Sequence, residues 1–397
     1  MTDDAALIRA VADRVSSLHD DLVAFRRDLH AHPELSWAET RTTAAVLARL
    51  AQADIAVHAL PGTGAVADLG AESATYRVAL RADMDALPVP ERSGLPFASR
   101  DHQTCHACGH DVHVTALVGA LLALKDIEGD LRERGIAVRG IFQAAEEVIP
   151  GGAHEAIAAD ALEGVDAAFA VHCDPSLDVG QVGLREGALT AACDSLKVTL
   201  SGRGGHTSRP QLTEDLTYAL AKVVTDVPAA LSRRLDPRAG AALVWGTVNA
   251  GSAANVIPSH GEASGTLRML DAGAWAAVGP LLDEIVRGVV APYGVEAVLE
   301  RVKGVPPVVN HSEAIEALRV ACAGQGLLAA PTQQSLGGED FSWYLAHVPG
   351  AMARLGTRTP GGRTYDLHQG DLVVDEAAIG HGARLLATVA FAHIVKA

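Results

Sequence analysis

The sequence predicts an α/β protein, in which one discontinuous mixed α/β domain is interrupted by a smaller inserted α+β domain. Three observations lead to this prediction. Strand-like and helix-like runs alternate over residues 1–183, which is typical of a sheet covered by helices. Hairpin-like strands and two amphipathic helices replace this alternation over residues 184–299. The α/β alternation then resumes over residues 300–397.

The first part of the chain opens with helices and continues with strands and helices in turn. Apolar residues at helical spacing predict one helix over residues 4–29, and a second helix is predicted over residues 39–50. The runs AVADLG, YRVALRADMDALP, AVRGIFQAAEE and DAAFAVHCD are strand-like, and GGAHEAIAADAL is helical. Asp111 is a candidate N-cap of the long helix that follows it.

The inserted segment has its own order of elements. It opens as a hairpin in GALTAACDSLKVTLSGRGG, and EDLTYALAKVVTDVPAAL then predicts a helix. At least two strands follow in AALVWGTVNAGSAANVIPSHGEASGTLRML, and Ala274 to Val290 predict a second helix. A strand–helix–strand–strand–helix order fits a small α+β domain.

Charge and cysteine content narrow the partners and the compartment. With 48 acidic residues against 32 Lys and Arg, the formal net charge is −16, so neither nucleic acid nor an anionic membrane is an expected partner. No apolar run of about 18 residues predicts a membrane span, and the acidic start does not look like a secretory signal. An odd number of cysteines, five, argues against a disulfide framework and favours the cytoplasm.

The stretch HACGHDVH contains the first candidate chemical group. Cys108 and His110 lie two positions apart, and a thiolate with an imidazole suits Zn²⁺ and similar divalent metals. Cys105 and Cys108 also form a C-x-x-C motif, which could be a redox pair or half of a structural zinc site. The sequence has no second C-x-x-C to complete such a zinc site.

Two carboxylates follow a predicted strand in QAAEE. Glu146 and Glu147 stand where open α/β sheets bind ligands, at the carboxyl end of a strand. One could bind a metal while the other acts as a general base. An ordinary solvated acidic pair would look the same in the sequence.

Other polar residues also stand at predicted strand ends. His172 ends an apolar strand, although a single histidine there is often a core residue with satisfied hydrogen bonds. Asp83 and Asp85 share one face of a strand and need a cation or a hydrogen-bonded partner. Taken together, Asp85, His110, Glu147 and His172 all fall at or just beyond strand ends of one predicted sheet, which indicates a single site.

An ordered set of motifs runs along the whole chain and carries a family resemblance. The motifs are LHAHPEL, RADMDALP, HACGHD, QAAEE, AVHCDP, GRGGHTSRP, NVIP, GTLR, GGEDFSWY and LHQG. In this order and spacing they resemble the two-metal amidohydrolases that include aminoacylases, hippurate hydrolases and auxin-conjugate hydrolases. The resemblance implies that the discontinuous domain is catalytic and that the inserted domain mediates homodimerisation and acts as a lid.

The resemblance also implies roles for individual residues. Glu146 would be the general base, and Asp85 would orient a ligand histidine. Cys108 would bridge two divalent metals, of which Zn²⁺ is favoured while Mn²⁺, Co²⁺ and Ni²⁺ stay open. The implied metal ligands are Cys108, His110, Glu147, His172 and His368.

Three residues of the inserted segment would act on the substrate. The resemblance implies that His206 helps to polarise the scissile carbonyl across the dimer, and that Asn255 and Arg268 hold the substrate carboxylate. Without the family resemblance, the sequence indicates only that His206 is a loop histidine and that Arg268 is a surface charge at a strand end. His113, one helical turn after His110, is interpreted as a residue that supports the ligands or the structure.

These observations support three functional hypotheses. The first is metal-dependent hydrolysis of the amide bond of N-acyl amino acids, with a carboxypeptidase or dipeptidase acting on short peptides as a variant. The second is a thiol-redox protein that uses Cys105 and Cys108. The third is a metal-binding protein without catalysis. The acyl group and the amino acid of a substrate cannot be read from the sequence.

Overall fold

A computed structural model describes residues 4–392 of the chain. The chain divides into two compact units. The first unit runs through Leu189 and takes in two later stretches, Val308–Gln333 and the chain from Asp340 onward. The second unit is Thr190–Pro307 with the short return Gln334–Glu339.

The predicted fold class is confirmed, because a mixed α/β unit is interrupted by an α+β segment. The predicted domain limits at residues 183 and 299 lie a few residues before Leu189 and Pro307, where the two units meet along the chain. Residues 334–339 also belong to the second unit, whereas the prediction placed them in the discontinuous α/β domain.

The helices and strands of the described residues are numbered in chain order. The helices are α1 (Asp4–Ser17), α2 (His19–Ala31), α3 (Thr40–Ala51), α4 (His110–Asp126), α5 (Glu128–Glu133), α6 (Ala153–Ala158), α7 (Leu216–Arg234), α8 (Ala272–Val290), α9 (Ser312–Gly324), α10 (Phe341–Leu345) and α11 (Ala377–Ala392). The strands are β1 (Ala56–Ala59), β2 (Ala65–Gly70), β3 (Tyr76–Asp83), β4 (Ile136–Gln143), β5 (Ala167–Asp178), β6 (Gln181–Leu184), β7 (Gly187–Ala188), β8 (Ala192–Ser201), β9 (Gly205–His206), β10 (Ala242–Ala250), β11 (Val256–Ile257), β12 (His260–Met269), β13 (Glu296–Val305), β14 (Val309–Asn310), β15 (Leu328–Pro331) and β16 (Gly350–Arg358).

An eight-stranded sheet forms the centre of the first unit, in the order β1-β2-β4-β3-β5-β16-β6-β15. The central strands β4, β3, β5 and β16 pair in parallel, whereas β1, β2 and β4 pair antiparallel. Since parallel strands place their carboxyl ends at one edge, the segments after β3 and β4 emerge on the same side.

Helix α4 is buried on every side from His110 to Leu124. It is apolar around most of its circumference, as expected of a helix enclosed by other elements. It contacts the sheet through β3 and β5, and it packs against α1, α2 and α11. The first residues of α4 are therefore held rigidly.

Two predictions at helix ends are wrong. The helix predicted over residues 4–29 is interrupted at Leu18, and the apolar spacing continues across the break because α1 and α2 bury the same stripe. Asp111 is not an N-cap, since α4 is preceded by Gly109 with φ +86°. Asp111 lies inside the first turn, where its buried carboxylate accepts a hydrogen bond from Arg26 Nε at 2.6 Å.

The second unit is built on a four-stranded antiparallel sheet in the order β10-β12-β8-β13. Helices α7 and α8 pack against each other and against this sheet. The alternating burial of β8 is that of a strand with one face toward the helices. Across residues 4–392, no helix combines the length and the apolar character needed to span a membrane.

Candidate metal centre

Three segments of the first unit bring candidate ligands to the carboxyl edge of the sheet. Cys108 and His110 lie at the start of α4, and Glu147 follows β4. His172 was predicted at a strand end, but β5 continues to Asp178, while its pairing with β3 already stops at Ala170.

The turn that contains Cys108 is held on two sides. Gly109 adopts φ +86°, and a Cβ there would lie 2.8 Å from Cys173 Sγ, so only glycine fits. On the other side, the backbone N–H of His368 donates to Ala107 O at 2.8 Å. This bond brings the loop near the end of the chain to the beginning of α4.

Cys108 belongs to two triplets of potential metal ligands. The ligand atoms of Cys108, His110 and His172 lie within 4.8 Å of one another, and so do those of Cys108, Glu147 and His368. Sγ of Cys108 is 3.5 Å from Nε2 of His172. The structure thus gathers all five predicted ligands around one thiol.

Several buried polar atoms of this cluster have no hydrogen-bond partner within the described part of the chain. They are both ring nitrogens of His110 and Oε1 of Glu147, which lies 3.8 Å from His110 Nε2. Burying such atoms without a partner is costly, and a cation removes the cost. A sulfur, nitrogen and carboxylate donor set fits a divalent metal such as zinc.

The tautomer of His172 leaves one ring nitrogen available as a ligand. Nδ1 lies 2.8 Å from the carbonyl of Cys173, to which it donates its proton. Nε2 therefore carries the lone pair, and it points toward Cys108. Burial, together with the charge of Arg354, lowers the pKa of His172 well below its usual value, which keeps the ring neutral.

The pKa shifts of the other ligands come from burial and from each other. Burial alone lowers the pKa of His110, but the charges of Asp83 and Cys108 outweigh it and raise that pKa. Burial and the charge of Glu147 raise the pKa of Cys108. Cys108 and Glu147 raise the pKa of His368 to about 10.

Asp85 lies between His110 and the turn that contains Glu146 and Glu147. Its carboxylate accepts the backbone N–H groups of Glu146 at 3.1 Å and Glu147 at 3.0 Å, and the hydroxyl of Ser36 at 2.6 Å. Oδ1 lies 3.3 Å from His110 Nδ1. Burial raises the pKa of Asp85, but the charge of His110 and the hydrogen bonds from Ser36 and Glu147 outweigh burial and lower the pKa. Asp85 is thus an ionised acceptor between the glutamates and His110.

His113 has both ring nitrogens engaged. Nε2 accepts the backbone N–H of Cys173 at 2.8 Å, so Nδ1 carries the proton and donates it to Asp83 at 2.6 Å. Asp83, His110 and His113 also offer ligand atoms within 4.8 Å of one another. Because both nitrogens of His113 have protein partners, the geometry favours a supporting role over metal binding.

Buried charges beside the cluster were missed in the sequence. Arg81 donates to Asp83 at 2.5 Å, to Asp340 at 2.6 Å and to Gln143 at 2.9 Å, and all four side chains are almost fully buried. Charges at alternate positions in RADMD were a signal for Arg81. No local pattern identifies its partner Asp340.

The cysteines argue against the thiol-redox hypothesis. All five are free, and burial raises the pKa of Cys105 to about 12. A redox-active thiol needs a lowered pKa and access to solvent. Both Cys105 and Cys108 are buried with raised pKa values, so neither has these properties.

The three candidate substrate residues lie in the second unit. His206 is exposed on the two-residue strand β9, where its Nδ1 accepts the backbone N–H of Ser208 at 3.1 Å. Asn255 is exposed, and its carbonyl accepts the N–H of Thr207 at 3.2 Å. Arg268 is half-buried on β12, and its guanidinium donates to the carbonyl of Leu336.

Comparison with known proteins identifies the family. The chain matches the family model described as "Peptidase family M20/M25/M40" over residues 79–392 and belongs to this family. Since peptidases cleave amide bonds, the chain is a hydrolase that acts on amide bonds, as the sequence predicts. The narrower resemblance to hippurate and auxin-conjugate hydrolases stays a prediction.

Three known proteins illustrate the similarity. A protein of Rhodococcus jostii (strain RHA1) named "Putative glutamate--cysteine ligase 2-3" is 48% identical over 369 residues, which are 92% of this chain but 46% of that protein, so the chain spans about half of its length. The N-acetylcysteine deacetylase of Bacillus subtilis (strain 168) is 34% identical over 94% of this chain and 97% of its own. The crystal structure of the Bacillus subtilis YXEP protein, described as a dinuclear metal binding peptidase, is 33% identical with a TM-score of 0.83, covering 96% of this chain and 99% of that chain.

Proposed function

We propose that the chain is a metal-dependent amidohydrolase that cleaves the amide bond of N-acyl amino acids. The observation that carries the proposal is the single buried thiol of Cys108, which is shared by two triplets of potential metal ligands. The similarity to an N-acetylcysteine deacetylase over nearly the whole chain supports the substrate class. The YXEP protein, described as binding two metals, supports the number of ions.

Two divalent ions would share this cluster. His110 and His172 would hold one ion, Glu147 and His368 would hold the other, and Cys108 would bridge them. Such a pair lowers the pKa of a bound water and polarises a carbonyl group. The mixed donor set favours Zn²⁺, and Mn²⁺, Co²⁺ or Ni²⁺ also suit it.

Glu146 is proposed as the general base. It follows the turn at Ala145, whose φ of +53° aims both glutamates at the cluster, and its carboxylate lies within 4.8 Å of ligand atoms of His110 and Glu147. Glu146 would take a proton from the attacking water and pass it to the leaving amine. Asp85 accepts the backbone N–H of Glu146, which fixes the backbone from which this side chain extends.

His206, Asn255 and Arg268 are proposed to act on the substrate. Since Nδ1 of His206 accepts the N–H of Ser208, the proton is on Nε2, which can donate to a developing oxyanion. The guanidinium of Arg268 has a fork that suits a carboxylate. Asn255, which is exposed and directly precedes β11, offers an amide donor.

The proposal includes a small-molecule substrate and a homodimer formed through the inserted segment. It includes neither nucleic acid nor a membrane as partner, which agrees with the formal charge of −16. A cytoplasmic location is proposed from the five free cysteines.

Amide hydrolysis by metal-stripped protein, with single metals added back, tests this function. The substrates are N-acyl amino acids with acetyl, benzoyl and longer acyl groups, together with dipeptides. Release of free amino acid that requires metal and stops with chelator is the expected result. Two bound metals without hydrolysis of any substrate would contradict it and favour a metal-binding protein without catalysis.

A further inference from the structure

Two buried carboxylates hold three consecutive backbone N–H groups in the turn after β4. Asp85 accepts those of Glu146 and Glu147, and Glu39 accepts that of Ala145 at 2.8 Å. We propose that Glu39 is a positioning residue for the hydrolytic reaction, which acts by holding Ala145 so that Glu146 and Glu147 face the metal cluster. This inference rests on the roles proposed above for the two glutamates.

The carboxylate of Glu39 is enclosed and fully used. Its side chain is 0% exposed. Oε1 accepts the N–H of Ala145 and also that of Trp37 at 3.1 Å, while Oε2 accepts the hydroxyl of Thr63 at 2.6 Å. With both oxygens occupied by protein donors, Glu39 acts through Ala145 and not as a ligand or a base.

The position of Glu39 in the chain suggests a different role, which the geometry excludes. Glu39 is the N-cap of α3, where a carboxylate commonly accepts N–H groups of the first helical turn. Its side chain makes no such bond. Glu34 does this instead, since its carboxylate accepts the N–H groups of Arg41 and Thr42, both at 2.8 Å.

The turn needs this acceptor because its backbone is in an unfavourable conformation. Ala145 has φ +53°, a left-handed value that residues other than glycine adopt only when the surroundings hold them. Its N–H is held by Glu39, and its carbonyl accepts the N–H of Gly152 at 2.8 Å. If the Glu39 contact is lost, a buried N–H has no partner and the turn can relax, which displaces the adjoining Glu146.

One short segment contributes to the positions of both carboxylates that hold the turn, those of Asp85 and Glu39. Ser36 donates to Asp85, and Glu39, three residues later, accepts from Ala145. Residues 36–39, which directly follow the motif LHAHPEL, therefore hold the catalytic turn from one side, although none of their side chains belongs to the ligand triplets of the cluster.

Two substitutions of Glu39 distinguish the effect of its side-chain length from the effect of its charge. In E39Q the side-chain oxygen can still accept from Ala145, although the charge is gone. In E39D the charge remains, but the shorter side chain no longer reaches Ala145 and Thr63 together. The matched control is E34D, which shortens a carboxylate of the same segment that holds helix α3 and not the turn.

Kinetics and backbone exchange are measured on each full-length, metal-loaded variant and on its metal-free form. E39Q should keep kcat within about 3-fold of the wild type, while E39D should lower kcat by about 10- to 100-fold with KM within about 3-fold. Hydrogen exchange followed by mass spectrometry should be faster in E39D for the peptide that spans residues 144–148. E34D should speed exchange near Arg41 and Thr42 and leave kcat unchanged.

The inference is overturned if E39D folds and keeps either its kcat or its slow exchange at residues 144–148, or if E39Q loses activity while E39D keeps it. If E39D does not fold, the variant T63V provides the test, because it removes one hydrogen-bond partner of the Glu39 carboxylate. An unchanged kcat in T63V overturns the inference. A loss of about 3- to 10-fold in kcat supports it. A wild type that hydrolyses no amide refutes the proposed function, and the exchange measurement still decides whether Glu39 holds the turn.

Discussion

Nε2 of His368 lies 3.4 Å from Oε1 of Glu147, although one residue follows β16 and the other follows β4. The loop of His368 reaches this place because its backbone N–H donates to Ala107 O, next to Cys108. Both side chains form a triplet with Cys108, which also belongs to the triplet of His110 and His172. The whole cluster therefore depends on one thiol.

Replacing Cys108 by alanine should disrupt both metal positions. We expect C108A to hold less than one metal per chain under conditions where the wild type holds two. Its activity should fall by at least about 100-fold, because losing even a residue that supports a metal ligand costs about 10- to 100-fold. Metal analysis after gel filtration measures this. C322A is the matched control, because Cys322 is a buried thiol of α9 outside the cluster, and it should keep its metals. Full metal content in C108A would contradict the shared-ligand arrangement.

Replacing Glu146 by glutamine should remove the base and leave the metals in place. We expect kcat to fall by about 10²- to 10⁴-fold, the usual contribution of general base catalysis, with two metals still bound. E155Q, at an exposed acid of α6, serves as the control and should match the wild type. Turnover that persists in E146Q would assign the proton transfer to another group.

Replacing Arg81 by methionine should destabilise the first unit. The change leaves the buried carboxylates of Asp83 and Asp340 without their cation, and breaking a buried charge pair in this way costs about 3–5 kcal/mol. The free energy of unfolding in urea measures the loss. R234M is the comparison, because the pair of Arg234 with Glu284 is exposed and should contribute at most about 1 kcal/mol. Equal losses in the two variants would show that burial of the first pair does not matter.

His30 should make stability depend on pH. It lies 2.8 Å from Asp111 and 3.1 Å from Glu91, with Arg26 beside it. Burial lowers the pKa of His30, but the two carboxylates outweigh burial and the charge of Arg26, so the pKa is raised above 6.5. A raised pKa in the folded state gives stability that is fully present below the unfolded value and is lost as pH rises through the folded value.

The variant H30N should therefore lose more stability relative to the wild type near pH 6 than near pH 9, because about 6.5 is the unfolded pKa of histidine. Thermal unfolding of the metal-free proteins across this range measures the difference. A loss that is constant with pH, or larger at high pH, would show that His30 is neutral in the folded protein.

Much of the candidate site could be predicted from residue patterns. Glu146 and Glu147 follow a buried apolar strand, and His172 lies in another, so their placement near one edge of the sheet follows from strand direction. The order of the strands could not be read in this way. Cys108 and Glu147 meet because β3 lies between β4 and β5, and this order is set by pairing between segments far apart in the chain.

The errors at helix ends have a related cause. The apolar spacing over residues 4–29 records which side of the chain is buried, and the break at Leu18 leaves that side unchanged. Asp111 has the composition of an N-cap, but its carboxylate binds Arg26 of another helix. A local pattern describes the periodicity of burial and does not identify the partner of a polar group.

By itself the sequence determined the fold class, the types of ligand atom and their order along the chain, because burial periodicity and donor chemistry are local properties. The family resemblance already implied that Cys108 is shared between two metals. Only the tertiary structure decided that Arg81 is buried between Asp83 and Asp340, and that the Glu39 side chain accepts from Ala145 and not from its own helix. The physical reason is that a hydrogen bond or a metal site depends on the distance and direction between side chains. In this protein, those are set by the packing of segments that are remote in sequence.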